Sequence, residues 1–256
     1  MARNRIVARA VFTAGLAGVA SLAMALPAQA HGTRQVTCNG TIGAVTVGSV
    51  VIADATACVL DGTTVKGEIT VGVGAALDMS DVTAYRSVTS TSSGRVTAVD
   101  STVYGSVSST GTGIVRLTGS GVAGDVTVQG ESTSFSASDV SVAGDIRGTT
   151  VSRFDVADSF VGGALAATEA FSGSNLCGNW VSGATKVTAS GGAVLLGGAT
   201  SCAGNTVRGS VVVENNAAYI AIAGNTIRRD LSCTGNDPAP EVGTNTVRGT
   251  KSGQCV

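Results

Sequence analysis

The sequence predicts an all-β solenoid on three observations: a composition rich in Gly, Val, Ser and Thr, a short motif recurring about every twenty residues, and cysteine spacings close to one repeat. Of 256 residues, 36 are Gly, only 3 are Pro, 13% are charged and 43% are hydrophobic. That much apolar character excludes a charge-solvated disordered chain. The Gly follows no every-third-residue period, which excludes a collagen-like helix. Few Leu, Lys and Glu fall at helical spacing, which argues against a helical bundle.

Residues 1–30 read as a secretory signal peptide. Arg3, Arg5 and Arg9 form a positive start, Val11 to Leu26 is apolar and uncharged, and Ala28-Gln29-Ala30 is a small-x-small cleavage site. The remaining domain, 31–256, would begin at His31. It carries 13 basic against 17 acidic residues, a net charge of −4, which offers no overall field for nucleic acid. No later apolar stretch approaches the length of a membrane span, so no transmembrane segment is expected after cleavage. The expected location is secreted or cell-wall associated.

The repeat is a polar residue, any residue, Val or Ile, any residue, then Gly. Thr63 to Gly67, Ser101 to Gly105, Ser120 to Gly124, Asn179 to Gly183, Asn205 to Gly209 and Asn245 to Gly249 are plain instances. Weaker copies place Ala84, Gly144, Gly163 and Arg229 in the Gly slot. Two residues before the slot, all ten copies carry Val or Ile, Val82 among them. Seven before it, all are apolar, from Leu60 and Leu77 to Ile222 and Val242. This period-two alternation around a Gly marks short strands. A twenty-residue unit cannot bury its own inward face, whereas stacked units can, each Val packing on its equivalent in the next.

Four residues before the slot stand small polar residues, ending in Asn179, Asn205, Asn225 and Asn245. Gly or Asp precedes most of them, among them Gly62, Asp100, Asp139, Asp158 and Gly178, as a sharp left-handed corner requires. Stacked Asn amides at such a corner would form an asparagine ladder. With it, the pattern resembles the right-handed parallel β-helices of secreted pectate-lyase-like and bactofilin-like proteins. The recurring Gly-Asn-Thr-Val/Ile-Arg is also similar to uncharacterised secreted actinobacterial repeat proteins. The resemblance implies a fold, a right-handed parallel β-helix of about ten coils with a period of about 20, and transfers no chemistry.

Six Cys in an exported chain point to disulfides. The repeat selects Cys38–Cys58, Cys177–Cys202 and Cys233–Cys255, partners about one coil apart. With no CxxC and a single His, neither a metal site nor a cofactor is expected.

Candidates for chemistry are few. Asp125 and Asp145 both follow the slot, one coil apart, and Asp139 and Asp158 form a similar pair at the corner, with Arg153 and Asp155 near in sequence. Paired carboxylates serve acid/base work or hold a cation, yet the polygalacturonase and pectate-lyase motifs are missing. Arg208, Arg228 and Arg248 precede the slot in the last three coils, an outward ladder suited to a polyanion. The bland reading pairs them with Glu214, Asp230 and Glu241. A Thr stripe (Thr89, Thr110, Thr149, Thr168, Thr188, Thr234) is the feature an ice-binding face would need. Phe135 and Phe154 share an inward slot and should stack.

The favoured expectation is a secreted, non-catalytic β-helix with a structural, adhesive or binding role at the cell envelope, its partner cell-wall polysaccharide or another envelope polymer. A polysaccharide-active lyase or hydrolase using Asp125 and Asp145 is the alternative. An ice- or ligand-binding solenoid is the third.

Overall fold

A computed structural model of the protein describes residues 34–111, 113–198 and 202–256. The expected signal segment 1–30 and His31 lie outside the described residues. The described strands form two sheets, of 21 and 11 strands, with strand neighbours paired in parallel throughout. The chain is a parallel β-solenoid. One coil shows the plan: Arg95–Val99, then Thr102–Val103, then Val107–Thr110, with Gly113–Thr118 opening the next. Among the described residues no helix is long and apolar enough to cross a membrane.

Each strand lies on its equivalent in the neighbouring coils. Ala98 pairs with Met79 on one side and Leu117 on the other. The two-residue strands stack Val65, Ala84, Val103, Val122, Val142, Val161, Val181, Val207 and Ile227 into one inward column, none more than 3% exposed. β-Branched side chains suit such a column because their stiff rotamers pack on the pleated wall. Each burial contributes about 1.5–3 kcal/mol.

Two details refine the sequence reading. Among the described residues the 11-stranded sheet has one two-residue strand per coil, which gives eleven coils, in line with the expected about ten. The extra coil holds Thr46–Val47, and Gly67 donates its N–H to Gly48 O, which makes Gly48 the slot residue there. That slot escaped notice because the coil lacks the residue between Val and Gly. The second correction concerns Ala84. It occupies the inward column, paired with Val65 and Val103, and is fully buried. Arg86 therefore takes the slot, Val82 the corner, and Met79 rather than Leu77 pairs with Leu60. A small Ala two residues after a Val imitates the motif. With Gly48 and Arg86 restored, slots from Gly48 to Gly183 recur every 19 or 20 residues.

Most of the corners are left-handed. Asp81, Asp100, Asp139 and Asp158 have φ of 53°, 48°, 55° and 50°, a region that Asp tolerates better than most residues. The next residue turns inward and is buried, as with Val82, Ser101, Val140 and Ser159. A second such corner, absent from the sequence reading, follows the third strand: Ala189, Asn215 and Gly235 are left-handed, and Ser190, Asn216 and Asn236 behind them are buried.

Buried polar side chains knit both corners along the axis. Asn179 donates its N–H (2.9 Å) and Nδ2 (3.0 Å) to Asn205 Oδ1, and Asn205 and Asn225 repeat this toward Asn225 and Asn245. Serines do the same more simply: Ser101 N–H donates to Ser120 Oγ at 3.1 Å, and Val140 N–H to Ser159 Oγ at 3.2 Å. At the second corner, Ser190, Asn216, Asn236 and Gln254 form a parallel series.

All three expected disulfides are present, with Cα atoms 5.6, 4.8 and 5.2 Å apart for Cys38–Cys58, Cys177–Cys202 and Cys233–Cys255. Phe135 and Phe154 are buried with ring centroids 5.2 Å apart. Gly148 lies against this pair, where any Cβ would meet the Phe154 ring.

Candidate functional site

The Asp125/Asp145 pair is built into the backbone rather than offered to solvent. Both residues follow the slot, where the chain turns into the third strand. Asp125 Oδ1 accepts the N–H of Asp145 at 2.8 Å, and Asp145 Oδ1 accepts the N–H of Ala164 at 2.5 Å. Asp145 Oδ2 meets Arg147 in an ion pair. The same position carries Ser87 and Ser106, whose hydroxyls accept the N–H of Ser106 and Asp125, each at 3.1 Å. Here a carboxylate does what a serine does elsewhere. The position must supply an acceptor for the next coil's N–H, and Asp and Ser both can.

Asp139 and Asp158 are exposed corner residues whose left-handed backbone accounts for their identity. Asp158 nonetheless lines a depression of about 500 Å³ with Asp155, Asn175, Leu195 and the Cys177–Cys202 bridge. Asp155 accepts from Arg153 Nε at 2.5 Å and from the N–H of Asn175 at 3.1 Å. Among the described residues no group of three or more His, Cys, Asp and Glu side chains gathers as a metal site would require.

Arg208, Arg228 and Arg248 are exposed and in register. Each donates its N–H to the inward residue of the preceding coil, Val181, Val207 and Ile227, at 2.8, 2.9 and 3.0 Å. None takes part in the described ion pairs, which are Arg95–Asp78, Arg147–Asp145, Arg153–Asp155 and Lys186–Glu214. The acids expected to pair with them are engaged elsewhere. Glu214 meets Lys186, Asp230 accepts from Thr250, and Glu241 accepts from the Tyr219 hydroxyl at 2.7 Å. Among the described residues no ion pair joins these three Arg to Glu214, Asp230 or Glu241.

One carboxyl and one phenol are shifted by these contacts. Hydrogen bonds from the Thr250 N–H and hydroxyl, both 2.9 Å, hold the Asp230 carboxyl below its usual range, with help from Arg229. Its bond to Glu241 pushes the Tyr219 hydroxyl up.

The Thr stripe runs through Thr91, not Thr89, because of the Ala84 shift. Its members pair as Thr91, Thr110, Gln129, Thr149, Thr168, Thr188, Glu214 and Thr234. Gln129 and Glu214 interrupt the hydroxyl array, while Thr89 belongs to a neighbouring column with Thr70, Ser108 and Thr127.

The sequence reading missed how the exposed rings gather. Tyr85, Tyr104, Phe160 and Trp180 all stand on the outer side of the sheet of two-residue strands. Tyr85 and Tyr104 stack at 5.3 Å, with Lys66 Nζ 3.7 Å from the Tyr85 ring centroid. Residue positions one and three before the corrected slots are the signal that would have found this. Compared with family models, curated proteins and solved structures, the chain matches none.

Proposed function

We propose that the chain is an exported, non-catalytic β-solenoid with a structural, adhesive or binding role at the cell envelope. The observation that carries this reading is the hydrogen bond from Asp145 N–H to Asp125 Oδ1. A carboxylate that closes the coil-to-coil backbone network is poorly suited to shuttle protons, since protonation would weaken an acceptor the fold uses. Three disulfides are consistent with an oxidising extracellular compartment, and the signal-like segment 1–30 supports export. The eleven coils extend about 50 Å at roughly 4.8 Å per coil, a length suited to presenting repeated groups along a polymer.

The test is retention of the purified protein on cell-wall fractions, run beside a turnover assay on a panel of acidic and neutral polysaccharides. Retention without turnover is the expected result. Turnover that disappears in Asp145→Ala would sink the non-catalytic reading.

One observation favours an enzyme instead: Asp155 and Asp158 share the depression beside the Cys177–Cys202 bridge. In that case Asp158→Ala abolishes a turnover that Asp125→Asn leaves intact.

A further inference from the structure

The 11-stranded sheet of two-residue strands carries exposed rings and guanidinium groups on its outer face. On it, Phe160, Trp180, Thr206, Thr226 and Thr246 form one column through direct strand pairing. Gly162, Ser182, Arg208, Arg228 and Arg248 form the column beside it. Phe160 and Trp180 are each 44% exposed. Two large rings in adjacent coils are thus held in the open, followed along the axis by three guanidinium groups with no ion pair among the described residues. From Phe160 to Arg248 is four coil steps, about 19 Å at roughly 4.8 Å per coil.

A concave element joins the two parts. A depression of about 330 Å³ is lined by Ser182, Gly183, Gly209 and Ser210 together with Arg208 and Arg229. It lies between the ring-bearing coil of Trp180 and the first Arg coil. Two cations, two hydroxyl-bearing residues and side-chain-free backbone at Gly183 and Gly209 make a place for an oxyanion. Asp230, next in the chain, has its carboxylate turned to Thr250.

We propose that this face binds a linear polysaccharide carrying repeated oxyanion groups, with sugar rings stacked on Phe160 and Trp180 and successive anionic groups held by Arg208, Arg228, Arg229 and Arg248. The proposal rests on the binding role argued above and assigns it a ligand class and a site. Charge complementarity selects the anion, because Arg presents a fork matched to carboxylate, sulfate or phosphate. The rings select a sugar over a bare polyphosphate, since an apolar sugar face covers an aromatic ring while charges flank it. The spacing favours a regular polymer aligned with the solenoid axis, each repeat meeting an equivalent coil.

The experiment measures affinity of the purified full chain for alginate (carboxylated), dextran sulfate, neutral dextran and duplex DNA at low salt. Alginate or dextran sulfate should bind, neutral dextran should not, and added salt should weaken binding. The triple variant R208S/R228S/R248S should lose at least about tenfold in affinity, and Trp180→Ala several-fold. Arg116→Ser, on another face, should change nothing. Unfolding midpoints equal to the parent's keep the variants interpretable. Binding unaltered in the triple variant, equal binding of neutral dextran, or no binding of either anionic glycan overturns the assignment. So does DNA binding as tight as glycan binding and indifferent to Trp180→Ala. If the triple variant is still retained on cell-wall fractions like the parent, the envelope role stands and this face is not its seat.

Discussion

Asn225 Oδ1 receives two hydrogen bonds from Asn205, one from the backbone N–H at 2.9 Å and one from Nδ2 at 3.0 Å. Asn225 Nδ2 meanwhile donates to Leu196 O at 2.7 Å and Ala223 O at 3.0 Å. One buried amide therefore closes the donors of one coil and the carbonyls of two. Asn225→Ala leaves the buried Asn205 backbone N–H without an acceptor and Asn205 Nδ2 with Leu176 O alone, and the expected loss is about 1–3 kcal/mol. Asn225→Asp keeps the acceptor but places an oxygen against Leu196 O, so it should be no better tolerated than Ala. Urea unfolding of the three proteins checks this; an Asp variant as stable as the parent would contradict the assigned amide orientation.

Much of this arrangement was legible beforehand, and the omissions have physical causes. The Val column and the Asn at the first corner each depend on a residue type recurring at one offset, which stacking preserves, and the three Cys pairs depend on partners about one coil apart. The second corner was not legible because its left-handed residue varies from Gly74 and Ser92 to Thr150, Glu169 and Ala189. There the backbone is shaped by the buried residue that follows and by hydrogen bonds from the next coil, and composition carries little of that. Ala84 misled for a different reason: Ala is small enough to pass for the slot Gly and apolar enough to fill the inward column. The carboxylates were visible as stacked, but which way an Asp spends its oxygens depends on whether the next coil leaves an N–H in reach.

The terminal coil should open first without its bridge. Its inward residues Val242 and Val247 are only partly buried, while Cys233 and Cys255 are almost fully buried. Replacing both Cys with Ser should cost about 2–4 kcal/mol if the chain-entropy account holds. Hydrogen exchange of the amides of Thr246 and Val247 should rise well before that of Thr206 and Val207. Uniform acceleration through all coils would instead mean that the solenoid unfolds as one cooperative unit.

Asp230 and Tyr219 place opposite pH limits on the same end of the solenoid. The Asp230 carboxyl sits below its ordinary value when folded, so its stabilisation is present above that ordinary value and is lost as pH falls through the folded one. The Tyr219 hydroxyl sits above its ordinary value, so its contribution is complete below that value and is lost as pH rises through the folded one. Both groups are exposed, so each effect should be small and local. Amide shifts of Thr250 should titrate on the acid side and vanish in Asp230→Asn, while ultraviolet titration of Tyr219 should return toward an ordinary tyrosine in Glu241→Gln.

Gly148 is the inward residue whose replacement should be felt most directly. It pairs between Val128 and Ala167, where its neighbours carry side chains into the core. A Cβ added there meets Cδ2 and Cε2 of Phe154, and that ring is fully buried against Phe135. The ring has no solvent side toward which to yield, so Gly148→Ala overpacks the core and should cost about 1–3 kcal/mol. The paired variant Gly148→Ala with Phe154→Leu should recover part of this loss, since Leu vacates the ring's volume. Thermal unfolding of the single and double variants separates the two effects. If Phe154→Leu fails to soften the cost of Gly148→Ala, the glycine is required by its backbone and not by the ring beside it.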